Sequence, residues 1–207
     1  ASLVLNMMLK DWMTDGIKLW TIDEIVLPLV NNQTVYTIGP DVSNDLVTNK
    51  PLRLIQAFIR NMQVTPHIDI PTYIISEQEY NMLGSKFSTG QVNSCFYKPF
   101  VDYGQIKLFL TPDQNIQTNY EFHMTVQRPI FDMNKAGETF DFPSEWYQSL
   151  RWGLAAELAA DYGLDLNRAA LVIQRAEQYK ERLMAWDVEN ASTYFQPDMR
   201  SANPKFR

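Results

Sequence analysis

The side chains best placed to do chemistry are acidic. Glu138, Asp141 and Glu145 lie close together in sequence, and Glu157 and Asp161 stand at i, i+4, on one side of a helix. Two carboxylates across a cleft can hydrolyse a glycosidic bond, one giving a proton while the other attacks or activates water. A structural role accounts for both groups more simply. The first three precede or open a helix, where negative charge meets the positive end of the helix dipole. The second pair falls on a solvated stripe. His67 with Asp69 is the nearest approach to a metal-ligand pair, but the chain has only two histidines. The other, His123, is expected on the solvated side of its strand. The sequence carries no Gly-rich phosphate loop, no His-Glu-x-x-His and no nucleophile elbow. No enzyme activity, cofactor or metal is expected.

Composition narrows the partners. Hydrophobic residues make up 45% of the 207 and charged residues 20%, which supports a globular core over most of the chain. The net charge of −6 argues against a main task of gripping nucleic-acid phosphates, which needs clustered Lys and Arg. An aromatic stacking surface for bases is a related idea. Trp146, Tyr147 and Trp152, however, have only Arg151 interleaved among them, so core or interface packing is expected instead. No run approaches the roughly 20 apolar residues of a membrane span. The start, ASLVLNMMLKDWM, lacks a basic leader and a cleavage-like site, so no signal peptide is expected. The single cysteine, Cys95, cannot form a disulfide within one chain and is expected to be packed in a strand.

The elements that must position these residues follow from the apolar period. Leu5, Met8, Leu9, Trp12, Met13 and Leu19 recur near 3.6 residues and predict an amphipathic helix over 3–19. At Thr21 the period changes to that of strands. IDEIVLPLV, NNQ and TVYTIG read as strand, turn, strand, with Pro28 putting the first strand at an edge or bulge. Strands are also expected at 51–60, in NSCFYKP, in QIKLFL and in NYEFHMTVQRP, where Phe122, Met124 and Val126 alternate with Glu121, His123 and Thr125. Between them, Ser76 and Glu79 predict a capping box opening a short helix that Gly84 would stop.

Two helices are expected near the C-terminal end. Pro143 opens the first and Gly163 ends it. Tyr147, Leu150, Leu154 and Leu158 form an apolar line expected to meet the second helix, over 166–188. That second helix carries its own seam of Ala169, Val172, Ala176, Tyr179, Leu183 and Trp186, with Arg175, Gln178 and Arg182 on its solvated side. The predicted fold is α+β. Residues 1–20 and 143–189 form a helical domain, 21–142 an inserted β-rich domain with one short helix, and 190–207 an extended tail.

Gly153, Ala156 and Ala160 form a line of small residues along the first C-terminal helix. Such a line lets another backbone approach, either the N-terminal helix or a neighbouring subunit. With Trp146, these residues are the expected subunit interface. Substituting Leu at Gly153 or Ala156 is then expected to harm assembly more than folding. The tail has no period, yet it carries Tyr194, Phe195 and Phe206, with Arg200, Lys205 and Arg207 against one acid, Asp198. Aromatics suit anchoring to a partner better than a solvated linker.

Several stretches together resemble the head-to-tail adaptor proteins of short-tailed bacteriophages, the tail-accessory or packaged-DNA-stabilisation family. They are MMLKDWMTDGIKLW with LPL and QTVYTIG, then KPLRLIQAFIR, then ISEQEYNML, and above all DFPSEWYQSLRWGLAAELAADYG. The last is the most specific. The resemblance implies a structural protein of the virion neck, made in the host cytoplasm. It implies a ring, commonly of twelve subunits, that binds the portal protein, extends the DNA channel and offers a platform to the next tail component, a nozzle or tube. It also implies that the C-terminal segment reaches the portal, with Tyr194, Phe195, Arg200, Lys205, Phe206 and Arg207 as its contacts. Genomic DNA would pass through the lumen without specific binding, and no membrane is involved. The alternatives are another head-closure protein, or a virion-associated peptidoglycan hydrolase, since some members of the family have been linked to cell-wall hydrolysis.

Overall fold

The computed structural model describes residues 2–15, 21–131 and 142–186, without the side chain of Ala160. Eight strands form one mixed sheet in chain order β1 (Ile22–Leu27), β2 (Val35–Gly39), β3 (Leu46–Val47), β4 (Arg53–Asn61), β5 (Ile68–Ile74), β6 (Ser94–Pro99), β7 (Gly104–Phe109) and β8 (Tyr120–Gln127). Their spatial order is β1-β8-β4-β5-β6-β7-β2-β3. Two neighbouring pairs, β2 with β3 and β5 with β6, are parallel; the others are antiparallel. Five helices accompany the sheet: α1 (Ser2–Thr14), α2 (Glu77–Met82), α3 (Gln114–Asn119), α4 (Tyr147–Asp161) and α5 (Leu166–Trp186).

The expected architecture, a helical domain hosting an inserted β-rich domain, is corrected by this arrangement. The body of the protein is the eight-stranded sheet, curled into a near-barrel. The physical reason lies in the interior. Tyr36 and Ile38 of β2, Ile106 and Leu108 of β7, and Phe122 and Met124 of β8 all turn inward and are essentially sealed from solvent. They join one hydrophobic cluster with Leu27, Ile59 and Val92. The alternating side chains of so many strands need a closed volume of their own, which an appendage on helices would not supply.

Local signals landed where their chemistry is local. The capping box at α2 forms: the Ser76 hydroxyl accepts from the Glu79 backbone N–H, and the Glu79 carboxylate accepts from Ser76 N–H at 2.7 Å. Its helix ends at an extended Leu83 rather than at Gly84. Gly163 has φ +62 after α4, and Leu164 N–H donates to the Ala159 carbonyl at 3.1 Å, a glycine-terminated stop. β1 lies at the sheet edge, as Pro28 implied. Three elements escaped the sequence reading: β3, a two-residue strand beside β2, together with β5 and α3. β5 contains Pro71, which discourages a strand assignment, yet β5 reaches β6 only at Tyr73 and Ile74 and is paired on one side at the proline. α3 is a six-residue helix, capped by the Asp113 carboxylate accepting from Ile116 N–H at 2.8 Å.

Cys95 is buried in β6, and burial pushes its thiol up to about 12. The reactive thiolate is therefore scarce at pH 8 in the folded protein. Native protein is expected to react with a thiol reagent far more slowly than protein unfolded in guanidinium. Comparable rates in the two states would show that β6 opens readily.

α1, α4 and α5 gather in a three-helix cluster with its own core of Leu5, Leu9, Trp12, Trp146, Leu150 and Leu183. The Asp-Phe-Pro-x-Glu-Trp start builds its hub. Pro143 precedes a 3-10 turn, Ser144–Trp146, that drives Trp146 inward at 2% exposure, 6.3 Å from the Phe142 ring. The expected assignment of α4 faces is also corrected. Leu150 and Leu154 border a hollow with Leu5 of α1 and share one cluster with α1 as well as with Leu183 of α5, rather than meeting α5 alone. α5 also meets α4 through Trp152 stacked on Tyr179 (6.4 Å, planes 6° apart) and through the Ser149 hydroxyl, which donates to the Tyr179 carbonyl at 3.2 Å. None of the described helices is long and apolar enough to cross a membrane.

Candidate functional site

The two histidines are both engaged. His67 bonds through Nδ1 to the Val64 carbonyl oxygen at 2.9 Å, and Asp69 is committed to Arg60 by two bonds of 2.7 Å each. The Arg60 hydrogen bonds hold the Asp69 carboxyl below the usual carboxylate range, although burial opposes this. A metal at His67 and Asp69 would have to compete with Arg60 for the Asp69 carboxylate. Among the described residues, no group of three His, Cys, Asp or Glu could hold a metal ion.

His123 lies on the outer face of the sheet, as its alternation implied, but it is not solvated. It is 4% exposed and stacks on Phe58 at 4.8 Å with planes 10° apart. Its Nδ1 lies 2.7 Å from Glu24 of β1, and its Nε2 lies 3.2 Å from Glu121 of its own strand. Carboxylates only accept, so both ring nitrogens serve as donors when the ring is doubly protonated. With both nitrogens engaged, neither is presented to an incoming substrate. Cross-strand neighbours bury this side chain, which no period within β8 can reveal.

The three-helix cluster offers two surfaces of opposite charge. On one side, Arg168, Arg175 and Arg182 recur every seven residues along α5, about 10.5 Å apart at 1.5 Å per residue. Arg151 joins them from α4. Arg151 and Arg175 lie over the Trp152 ring at 5.7 and 5.0 Å, and Arg182 over Tyr179 at 5.8 Å. A shallow hollow between Trp152, Arg168, Leu171 and Arg175 opens on this face, and Leu171 is 61% exposed. None of the four arginines forms an ion pair with another described residue.

The opposite side is a groove of about 400 Å³ between α1, α4 and α5. Trp12, Gly153, Ala156 and Ile173 line its apolar part, and Asp11, Glu157 and Glu177 bring it carboxylates. None of those three carboxylates is paired with a described residue. Lys180 also lines it, but its ammonium is held by Asp15 at 2.6 Å.

A scan of the chain against protein-family models finds no match. A search among curated proteins finds none either.

The expected interface residues are distributed differently from a single subunit contact. Trp146 belongs to the chain's own core and presents no surface to a neighbour. Gly153 is buried against Trp12 and Met8, so the close approach its missing side chain permits is made by α1 of the same chain. Ala156 is half-exposed on the groove wall. The side chain of Ala160 lies outside the described residues, as do Glu138, Asp141 and the expected portal contacts Tyr194, Phe195, Arg200, Lys205, Phe206 and Arg207. The sequence reading missed the arginine row. Its seven-residue spacing is visible in the sequence, but the stacking of Arg175 on Trp152 of another helix is not.

Proposed function

We propose that this chain is a structural adaptor of a short-tailed phage neck: a ring-forming subunit that binds the portal vertex, continues the DNA channel and carries the next tail component. The observation that carries the reading is the stretch Asp141–Gly163. Its resemblance to the adaptor family is the most specific in the chain. Phe142 and Trp146, which make it unlike a generic helix start, form the hub of the three-helix cluster. The cluster supports an assembly role in a second way. Among the described residues it leaves arginines without an ion-pair partner on one side and carboxylates without one on the other. A protein of net charge −6 also suits a channel through which DNA slides, since like charge disfavours tight phosphate contact.

The test is attachment to a portal ring. Full-length chain mixed with portal rings of its own phage is expected to form a second ring on the portal, visible by electron microscopy. Removing 190–207 is expected to leave the fold intact and abolish stable attachment, because the aromatic anchors Tyr194, Phe195 and Phe206 are lost and the avidity of many tails with them. Truncated protein that still loads portals and seals filled heads would remove the tail from the reading. Full-length protein that ignores portal rings, or that turns over peptidoglycan as a free monomer, would overturn the adaptor reading itself.

A further inference from the structure

The arginine row and the acidic groove stand on opposite sides of α5. Arg175 and Glu177 are two residues apart, which is about 200° around a helix of 3.6 residues per turn. The row lies in a sector free of acid. Arg168, Leu171, Val172, Arg175, Tyr179 and Arg182 occupy it, while Glu177 and Glu181 point elsewhere on the helix. Across the hairpin, Asp11, Glu157 and Glu177 converge on the groove from three different helices. One molecule therefore presents a convergent cation surface and a convergent anion surface, each with exposed apolar side chains: Leu171 at 61% on the first and Ile173 at 44% on the second.

We propose that the arginine face of one copy seats on the acidic groove of the next, so that the three-helix cluster is the head-to-tail interface of the ring. This rests on the ring reading for its closure, but the contact itself is a property of this chain alone. Three observations point to a second copy. The charges complement each other within a single sequence, so no outside partner is needed to match them. The two faces are back to back, so a twofold contact would set arginines against arginines; only a head-to-tail contact pairs opposite charge, and repeated head-to-tail contacts close into rings when the rotation allows. The groove also has an apolar part formed by Trp12, Ala156 and Ile173, against which the aliphatic stems of arginines can pack while their guanidinium groups reach carboxylates. Arg151 and Arg175 rest over the Trp152 ring, so they lose less freedom on docking than long unsupported side chains would. Each ion pair alone would be weak at a solvated rim. Several together, partly covered, set orientation and partner choice.

The experiment uses the full chain without portal or DNA. Sedimentation velocity over a concentration series, at low and at high salt, is expected to show self-association that weakens as salt screens the charges. Arg168→Glu with Arg175→Glu in one variant, and Glu157→Arg with Glu177→Arg in a second, are each expected to weaken it by at least about tenfold in dissociation constant. An equimolar mixture of the two variants is expected to recover association, because every face then has an opposite face to meet. Circular dichroism checks that both variants fold; if either does not, the neutral pair Arg175→Gln and Glu177→Gln replaces them, each expected to weaken association, with recovery on mixing limited to pairs in which the intact groove of the first meets the intact arginine face of the second. Parent protein that stays monomeric at low salt overturns the proposal, as do reversed variants that associate like the parent or fail to recover when mixed. A short DNA duplex is the control for the other use of arginines. If reversal at Arg168 and Arg175 abolishes duplex binding and leaves self-association intact, the face is a nucleic-acid contact and the proposal fails. Self-association through these faces by a chain that ignores portal rings would leave this inference standing and remove the adaptor reading.

Discussion

Trp146→Ala is expected to destabilise the three-helix cluster by about 3–5 kcal/mol, the range for emptying a buried tryptophan site. The indole is 2% exposed and sits where α1, the turn before α4, and α5 converge, among Leu9, Trp12, Phe142, Leu150 and Leu183. The sheet interior is a separate cluster, built from Tyr36, Ile59, Ile106, Phe122 and their neighbours. Hydrogen exchange should therefore divide the molecule. Amides of α1, α4 and α5 should lose protection while those of β4 and β8 keep most of theirs. A loss below about 1 kcal/mol in urea unfolding would mean that the cluster can collapse around the void.

The second large effect is at Gly153. A Cβ there would lie 2.8 Å from Trp12 Cζ2 and 2.9 Å from Met8 Sδ, inside normal contact distance for both. Met8 can swing aside, but the Trp12 indole is a rigid plate within the core. Gly153→Leu is expected to cost the isolated chain about 3 kcal/mol, the upper part of the range for overpacking. Ala156→Leu is expected to cost the monomer under about 1 kcal/mol, because its side chain borders an open groove. It should act on self-association instead, by filling the space that takes the neighbour. The sequence expectation treats the two substitutions alike, as harming assembly more than folding. The structure separates them, since one small residue meets the chain's own α1 and the other does not. Thermal melts of both variants beside sedimentation of both provide the check. Equal melting temperatures for the two would contradict the placement of Trp12 over Gly153.

Signals legible in the sequence are those whose partners lie within a few residues. The Ser76–Glu79 box closes over three residues, the Gly163 stop over a single turn, and the alternation of Phe122, Met124 and Val126 is a property of one extended strand. Each is decided by backbone geometry near the residue, so sequence spacing is enough to find it. The helical period of α1 and of α5 was legible for the same reason. What spacing cannot say is which face of a helix meets which neighbour. Leu150 and Leu154 were expected against α5 alone and share their cluster with Leu5 and Leu9 of α1 as well as with Leu183 of α5, an arrangement set only by the packing of three helices together.

The candidate surfaces belong wholly to that second kind of information. His123 is buried by Glu24, which lies 99 residues away in sequence, and by Phe58 on a third strand. The basic residues missing around Trp152 in sequence arrive from α5, where Arg175 comes to 5.0 Å from its ring. The acids of the groove come from α1, α4 and α5. By itself the sequence determined the local elements, their caps and stops, and an acidic chain with amphipathic helices near both ends. Only the tertiary structure decided that the strands close on a core of their own and that like charges collect on separate sides of the helices. Both depend on contacts between segments far apart in the chain, which form only when burying apolar side chains together outweighs the entropy of bringing those segments into one place.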